Sequence, residues 1–215
     1  MGRIRKGILG GFRGTTGPVV GSFWRRMAVM RSKPRKIAKH KKKLLLLQQY
    51  KLSSMSTFLT MRKELIEVGF KKKGSKKTPM NLAMEYNIAH AFSETSGVLA
   101  IDYSKIRLCK GNRERAWSEQ IFFEPGCKVS ITWDVPELLN HKLIGNDTAH
   151  IVFHNAEDWY MSPRTVLGIR SEKSVLKQLP ASITGHVIHA WIYFVSPDGT
   201  KISDSDYIGS GVVIA

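Results

Sequence analysis

No aspartate or glutamate occurs before Glu64. Residues 1–78 carry 22 Lys or Arg against only Glu64 and Glu67, a net of +20, whereas residues 79–215 carry 12 against 15 acids, a net of −3. A nearly neutral domain is therefore expected to carry a strongly basic N-terminal third, and such asymmetry marks binding to a polyanion: nucleic acid, or less often anionic lipid. Cysteine is scarce. Cys109 and Cys127 are too few for a disulfide scaffold and have no zinc-site spacing. They are expected on neighbouring strands, where a bridge is geometrically conceivable, but as free thiols. Long apolar runs are missing as well; none approaches the ~18–20 residues of a membrane span. Glycines interrupt residues 8–23, so no secretory apolar region forms, and Lys6 argues against N-myristoylation. An organelle transit peptide would share the Arg-rich, acid-free composition.

What the N-terminus does have is glycine, at positions 2, 7, 10, 11, 14, 17 and 21. That spacing excludes a long helix, and Pro34 disfavours helix at the residue before it. Residues 1–43 are expected to be an extended, adaptable basic arm. Residues 44–97 form a helical segment, with helices near 54–70 and 79–92 around a basic loop at 71–77. Met55, Phe58, Leu59, Leu65, Ile66 and Phe70 recur at helical spacing, with Ser53 or Ser54 as a candidate cap. Thr78 and Pro79 suit the cap and first position of the second helix, which is expected to end near Ser93–Gly97.

From Val98 onward the period is two. The runs "VLAIDYSKIRLC", "KVSITWD", "TAHIVFHN", "RTVLGI", "SVLKQL", "HVIHAWIYFVS" and "DYIGSGVVI" are separated by turn signals such as Glu124-Pro125-Gly126. About seven strands over residues 98–215 suit an immunoglobulin-like sandwich, with jelly-roll closure left open. The fold class is α+β: arm, short helical segment, antiparallel sandwich. "KVSITWDVPE" resembles the second strand of fibronectin type III domains, and "LPASITGHVIHAWIYFVSPDG" that family's corner and longest strand, without its early tyrosine.

Chemistry-bearing patterns are few. "GILGGFRGTTG" has no following Gly-Lys-Ser/Thr, so it is not a phosphate loop. In the strand at 186–195, Ile188, Ala190, Ile192 and Phe194 make the inward face. His189, Trp191 and Tyr193 then turn outward, beside His150 and His154 of a neighbouring strand. Metal binding needs carboxylate or thiolate help that nothing nearby supplies, so this face is expected to be covered by the helices or by another subunit. Asp134, Glu137, Asp147, Glu157, Asp158, Asp204 and Asp206 are expected as solvated turn residues. No nucleophile–base spacing signals an enzyme, no cofactor is implied and no small-molecule substrate is evident.

The basic arm is the strongest signal. Arg3, Arg5, Lys6, Arg13, Arg25, Arg26, Arg31, Lys33, Arg35, Lys36, Lys41, Lys42 and Lys43, with Lys71, Lys72 and Lys73, are the candidate phosphate contacts. Phe12, Phe23 and Trp24 offer rings for stacking. Val19, Val20, Phe23, Trp24 and Met27 are the candidate packing residues of the arm, and His150, His154, His189, Trp191 and Tyr193 those of the sandwich. The arm reads as a strap with two surfaces: Val19, Val20, Trp24 and Met27 grip protein while Arg25, Arg26, Arg31, Lys33 and Arg35 face a polyanion.

"GRIRKGILGGFRGTTGPVVGSFWRRMAVMRSKPRK", with "NLAMEYNIAHAF", "IDYSKIRLCKG", "ITWD" and "HAWIYFVSPDGTKISDSDYIG", resembles a family from Bacteroidota catalogued as a domain of unknown function. The resemblance implies a bacterial or phage origin, location in the cytoplasm or a virion, and a shared architecture; it implies no catalytic residues. The chain is more basic at 35–43 and 71–77 than that pattern. The expected function is a non-enzymatic structural protein that assembles with itself and binds DNA or RNA, in its most concrete form a phage coat protein. The alternative is a binding or adhesion module, docked by its arm into a larger tail or secretion assembly, whose sandwich recognises a protein or glycan through the face of His150, Trp191 and Tyr193.

Overall fold

A two-residue loop between β-rich runs needs a positive φ, and in the N-terminal sheet Gly17 meets that need at one turn and Arg26 at the next. The computed structural model describes residues 2–3, 11–24, 26–34, 39–71, 74, 76–95, 98–135, 144–157 and 164–215. The chain divides into two compact units, Met1–Leu47 and Gln48–Ala215. In the first, β1 (Gly2–Arg3), β2 (Gly14–Thr16), β3 (Val19–Trp24) and β4 (Met27–Ser32) form an antiparallel sheet in the order β1-β4-β3-β2. Thr16 pairs with Val19 across Gly17-Pro18, and Gly17 has φ 59°, as a tight hairpin with glycine first requires. Trp24 pairs with Met27 across the next turn, where Arg26 takes φ 63°. Gly21 is buried, and a Cβ there would lie 2.4 Å from the Phe12 carbonyl oxygen and 2.7 Å from its ring. The stretch expected as a strap thus pairs with itself as a sheet.

Among the described residues the main helices are α1 (Lys39–Thr60), α2 (Lys63–Gly69) and α3 (Pro79–His90). The helix expected at 54–70 is broken at Met61–Arg62, and Ser53 and Ser54 lie inside α1 instead of capping it. Thr78 does cap α3, its hydroxyl accepting from the Asn81 N–H at 3.3 Å, with Pro79 in the first turn. The helix closes at His90, before the expected end. The hairpin β5 (Phe92–Thr95) and β6 (Val98–Ile101) follows.

Among the described residues, seven further strands belong to the second unit: β7 (Trp117–Glu124), β8 (Lys128–Asp134), β9 (Thr148–Asn155), β10 (Arg164–Ile169), β11 (Ser174–Gln178), β12 (Val187–Val195) and β13 (Asp206–Val212). They make two antiparallel sheets, β10-β9-β12-β13 and β11-β8-β7. Val129, Ile131 and Trp133 from one sheet and Ile188, Ala190, Ile192 and Phe194 from the other share a core. A second core lies on the opposite side of the four-stranded sheet. There Met55, Phe58, Leu59, Ile66, Phe70 and Ala83 of the helical segment pack with Val152, Trp191 and Tyr193. The protein is therefore a mixture of helices and antiparallel sheets, with helices and strands together in the second unit.

Two expectations about strands change. "VLAIDYSKIRLC" is a strand only to Ile101; Asp102 then caps a short turn at Tyr103–Lys105 by accepting from the Ser104 N–H. Its remainder, Ile106, Leu108 and Cys109, enters the helix-side core. The seventh strand of the two sheets is instead β7. Cys109 and Cys127 are free and buried in different cores, so they do not sit side by side as expected.

Candidate functional site

The first unit holds fourteen Lys or Arg and no acid. Its register decides what each sheet face presents. Val20 pairs with Arg31, Ser22 with Val29, and Trp24 with Met27, so these six share one face. Val19, Gly21 and Phe23 pair with Ser32, Met30 and Ala28 on the other. Phe23 is 56% and Trp24 51% exposed, one ring on each face. This corrects the two-surface strap: Val19 and Val20 point in opposite directions, and Val20, Trp24 and Met27 lie beside Arg31.

Around these rings, Arg13, Arg26, Arg31 and Lys33 are exposed. Arg26 stands at the hairpin tip in the left-handed region, a conformation that costs a non-glycine residue about 1 kcal/mol. Lys71 is exposed at the end of α2, and Arg3 lies in β1, while Lys41, Lys42 and Lys43 lie in the first turns of α1. Arg5, Lys6, Arg25, Arg35, Lys36, Lys72 and Lys73 lie outside the described residues.

The histidine–aromatic face is assembled by the β9–β12 ladder, which pairs His154 with His189, Val152 with Trp191, and His150 with Tyr193. Helices cover it. Trp191 is 0% exposed, Phe58 meets the His154 ring edge-on at 5.1 Å, and Tyr103 stacks on His189 at 4.2 Å. Burial, then the nearby Arg62 charge and His189, pushes His154 down to about 3. Burial lowers His150 and His189 as well. His154 is buried and His150 and His189 are partly buried, and Trp191 and Tyr193 offer no open surface for the protein or glycan recognition expected of this face. Among the described residues, no group of three or more metal-ligating side chains converges.

Three of the acids expected to be solvated, Asp147, Asp204 and Asp206, are largely withdrawn from solvent, while Glu137 and Asp158 lie outside the described residues. Asp147 is fully buried and accepts a two-point contact from Arg113, Nε to Oδ2 at 2.9 Å and Nη2 to Oδ1 at 2.7 Å. Arg170 Nε lies 3.5 Å from Oδ2 of the same carboxylate, and its guanidinium stacks 3.7 Å from the Phe194 ring centre. Asp204 accepts from the Gly111 N–H at 3.0 Å and pairs with Arg107 and Arg115, each at 3.1 Å. These carboxylates fasten the Arg107–Arg115 segment to the sheets. No local pattern signals this, since each partner is distant along the chain.

The first unit is thus a basic sheet with exposed rings and no acid in its sequence, and the second joins helices to two antiparallel sheets. The chain belongs to the family of unknown function DUF6266, which it matches over residues 11–209. No curated protein matches it. Among solved structures, the fn3 domain of human collagen alpha-1(XX) chain is similar at 12% identity and TM-score 0.37, over 48% of this chain and 88% of that one. The FN1–FN3 domains of chicken CNTN1 are similar at 12% identity and TM-score 0.37, over 50% of this chain and 34% of that one. An fn3 domain of human contactin 1 is similar at 17% identity and TM-score 0.34, over 57% of this chain and 92% of that one.

Proposed function

We propose that this protein is a non-enzymatic structural protein that binds nucleic acid through its N-terminal sheet and assembles with copies of itself. The observation that carries the proposal is the exposure of Phe23 and Trp24 in a unit of fourteen cations and no acid. Cations neutralise phosphates and release their counter-ions, while rings stack on bases without regard to sequence. Self-association draws support from α1, where Leu44, Leu45, Leu46 and Leu47 are all exposed. Four consecutive residues point to every side of a helix, so no single face can bury them, and a second copy is the occupant this reading assigns. In its most specific form the proposal is a phage-type coat protein with a fibronectin-III-like shell domain, its basic sheet lying on the packaged genome.

The test is binding of a labelled oligonucleotide at increasing salt. With six phosphate contacts, affinity falls ~10³-fold between 50 and 200 mM, and replacing Arg13, Arg26, Arg31 and Lys33 with glutamine flattens that slope. A salt-independent affinity, or none, overturns the reading. Co-purifying nucleic acid in regular particles on negative-stain images supports the coat form.

A second reading, a protein-binding module, has its own observation. On the outer face of the three-stranded sheet, Phe122 and Leu176 flank Ser130 in register and are 50% and 62% exposed. A module of this kind retains its partner when the N-terminal cations are replaced.

A further inference from the structure

One face of α3 is unlike the rest of the second unit. Leu82, Glu85, Tyr86, Ala89 and His90 follow the i, i+3, i+4, i+7, i+8 spacing of a single helical stripe, while Ala83 and Asn87 face the core. The stripe forms one wall of a cleft of about 510 Å³, completed by Phe70, Lys71 and Lys110.

The cleft is rigidly built. Asn87 donates through Nδ2 to the Ala83 and Arg107 carbonyls, both at 2.9 Å, and accepts the Arg107 N–H on Oδ1 at 2.9 Å. This ties α3 to the strand-like segment that carries Lys110. The Lys110 N–H donates to the Gly69 carbonyl at 2.9 Å. At Gly69 a Cβ would sit 2.7 Å from the Cys109 sulfur, so the end of α2 and that segment touch backbone to side chain. Lys71 and Lys110 thus both line the cleft from this joined pair of segments.

Its chemistry is equally specific. Phe70, Leu82 and Ala89 supply apolar surface. Tyr86 and His90 form a stacked pair, 4.4 Å apart and 19° from parallel, with Arg107 5.0 Å from the Tyr86 ring centre. His90 Nδ1 is spent on the Tyr86 carbonyl at 2.8 Å, leaving Nε2 for another group. The carboxylate in the wall, Glu85, is matched by Lys77 at 2.6 Å. Neither Lys71 nor Lys110 has an acidic partner among the described residues. An apolar, ring-lined slot with two uncommitted cations at its rim complements a flat ring carrying an anionic group, and the volume suits one such ligand.

We infer that this cleft binds a single nucleotide unit, its base against Phe70, Leu82 and Tyr86 and its phosphate between Lys71 and Lys110. The inference deepens the nucleic-acid reading, on which its strand-bound form rests. The same chemistry comes from two sources, a free nucleotide or an unpaired base in a strand, and two arms separate them. In the first, adenosine 5′-monophosphate is titrated into the intact protein by calorimetry. In the second, fluorescence anisotropy compares a labelled single strand with a duplex of equal length. The variants are Ala89→Trp, which fills the slot from an exposed helix position, and Lys71→Gln with Lys110→Gln, which changes exposed side chains only.

If the strand is the source, each variant weakens single-strand binding about tenfold, the scale of one stacked base, and Ala89→Trp, which removes no charge, leaves duplex binding unchanged. If the free nucleotide is the source, the monophosphate binds the intact protein, Ala89→Trp abolishes that binding, and the oligonucleotide affinities of Ala89→Trp match those of the parent. Equal affinity of variants and parent for both the monophosphate and the single strand overturns the cleft assignment. Absence of oligonucleotide binding by the parent overturns the nucleic-acid reading alone, because the monophosphate arm still decides the cleft.

Discussion

Arg62 lies flat on Phe58, its guanidinium 3.9 Å from the ring centre, while its Nη1 donates to the Phe58 carbonyl at 2.7 Å. The residue is 2% exposed, and its Nε and Nη2 have no hydrogen-bond partner among the described residues. Burial pulls it down to about 10, against a smaller raising influence from Tyr103. Exchanging a buried, incompletely satisfied charge for an apolar group of similar length is often neutral or stabilising. Arg62→Met is expected to hold or raise stability by about 1 kcal/mol in urea unfolding. A loss beyond ~3 kcal/mol would show the guanidinium to be essential to the packing.

Acid weakens the second unit through His154. Its folded value, about 3, lies below the ordinary histidine value of 6.5, so between those limits the unfolded chain binds more protons. Stability therefore falls as pH drops from about 6.5 toward 3. Asp206, raised to about 6 chiefly by burial, acts in the opposite sense, losing stability as pH rises from its ordinary 3.8 to 6. His154→Phe is expected to flatten the acid limb of a pH–stability profile. A profile unchanged by this substitution would mean that His154 is not the titrating group.

At the tip of the N-terminal hairpin, Arg26→Gly separates fold from binding. Relief of the left-handed arginine is expected to leave stability equal or raise it by about 1 kcal/mol. Loss of one phosphate contact lowers the salt slope of oligonucleotide binding by about 1. Thermal unfolding and anisotropy on the same sample read both effects.

Asp147→Ala leaves Arg113 and Arg170 without their shared carboxylate, Arg170 being almost wholly buried. The expected cost is about 3–5 kcal/mol, the range for breaking a buried pair from one side. A denaturant midpoint close to the parent's would contradict the burial of this pair.

Both thiols are shielded. Burial, helped by the Asp204 charge, raises the Cys109 thiol far above its ordinary value, and Cys127 is buried in the inter-sheet core. Neither is expected to react with DTNB until denaturant is added, after which two thiols per chain titrate. A fast-reacting thiol in the native protein would place one at the surface.

The strands legible in the chain were those with a clear alternation or a short β-rich run between turn signals. "KVSITWD" coincides with β8 because a half-buried strand writes its burial in a period of two, and "TAHIVFHN" and "RTVLGI" coincide with β9 and β10 as short β-rich runs. β7 escaped for a local reason. Its pairing with β8 slips between Trp117 and Gln120, Ser118 takes φ 49°, and Phe122 faces outward, so the alternation is interrupted and partly inverted. The hairpin of β3 and β4 escaped because Arg25-Arg26 carries none of the glycine or asparagine that marks a tight turn.

Composition and local spacing by themselves determined the charge division, the Thr78-capped helix, the inward face of β12 and the grouping of His150, His154, His189, Trp191 and Tyr193. Each depends only on residues near one another in the chain or on the pleat of a strand. Only the tertiary structure decided that Phe58 and Tyr103 close over that histidine–aromatic face, that Arg113 and Arg170 draw Asp147 into the interior, and that Lys71 and Lys110 both line the α3 cleft. Burial of a charge or a ring is set by partners tens to more than a hundred residues away, and no local pattern records who those partners are.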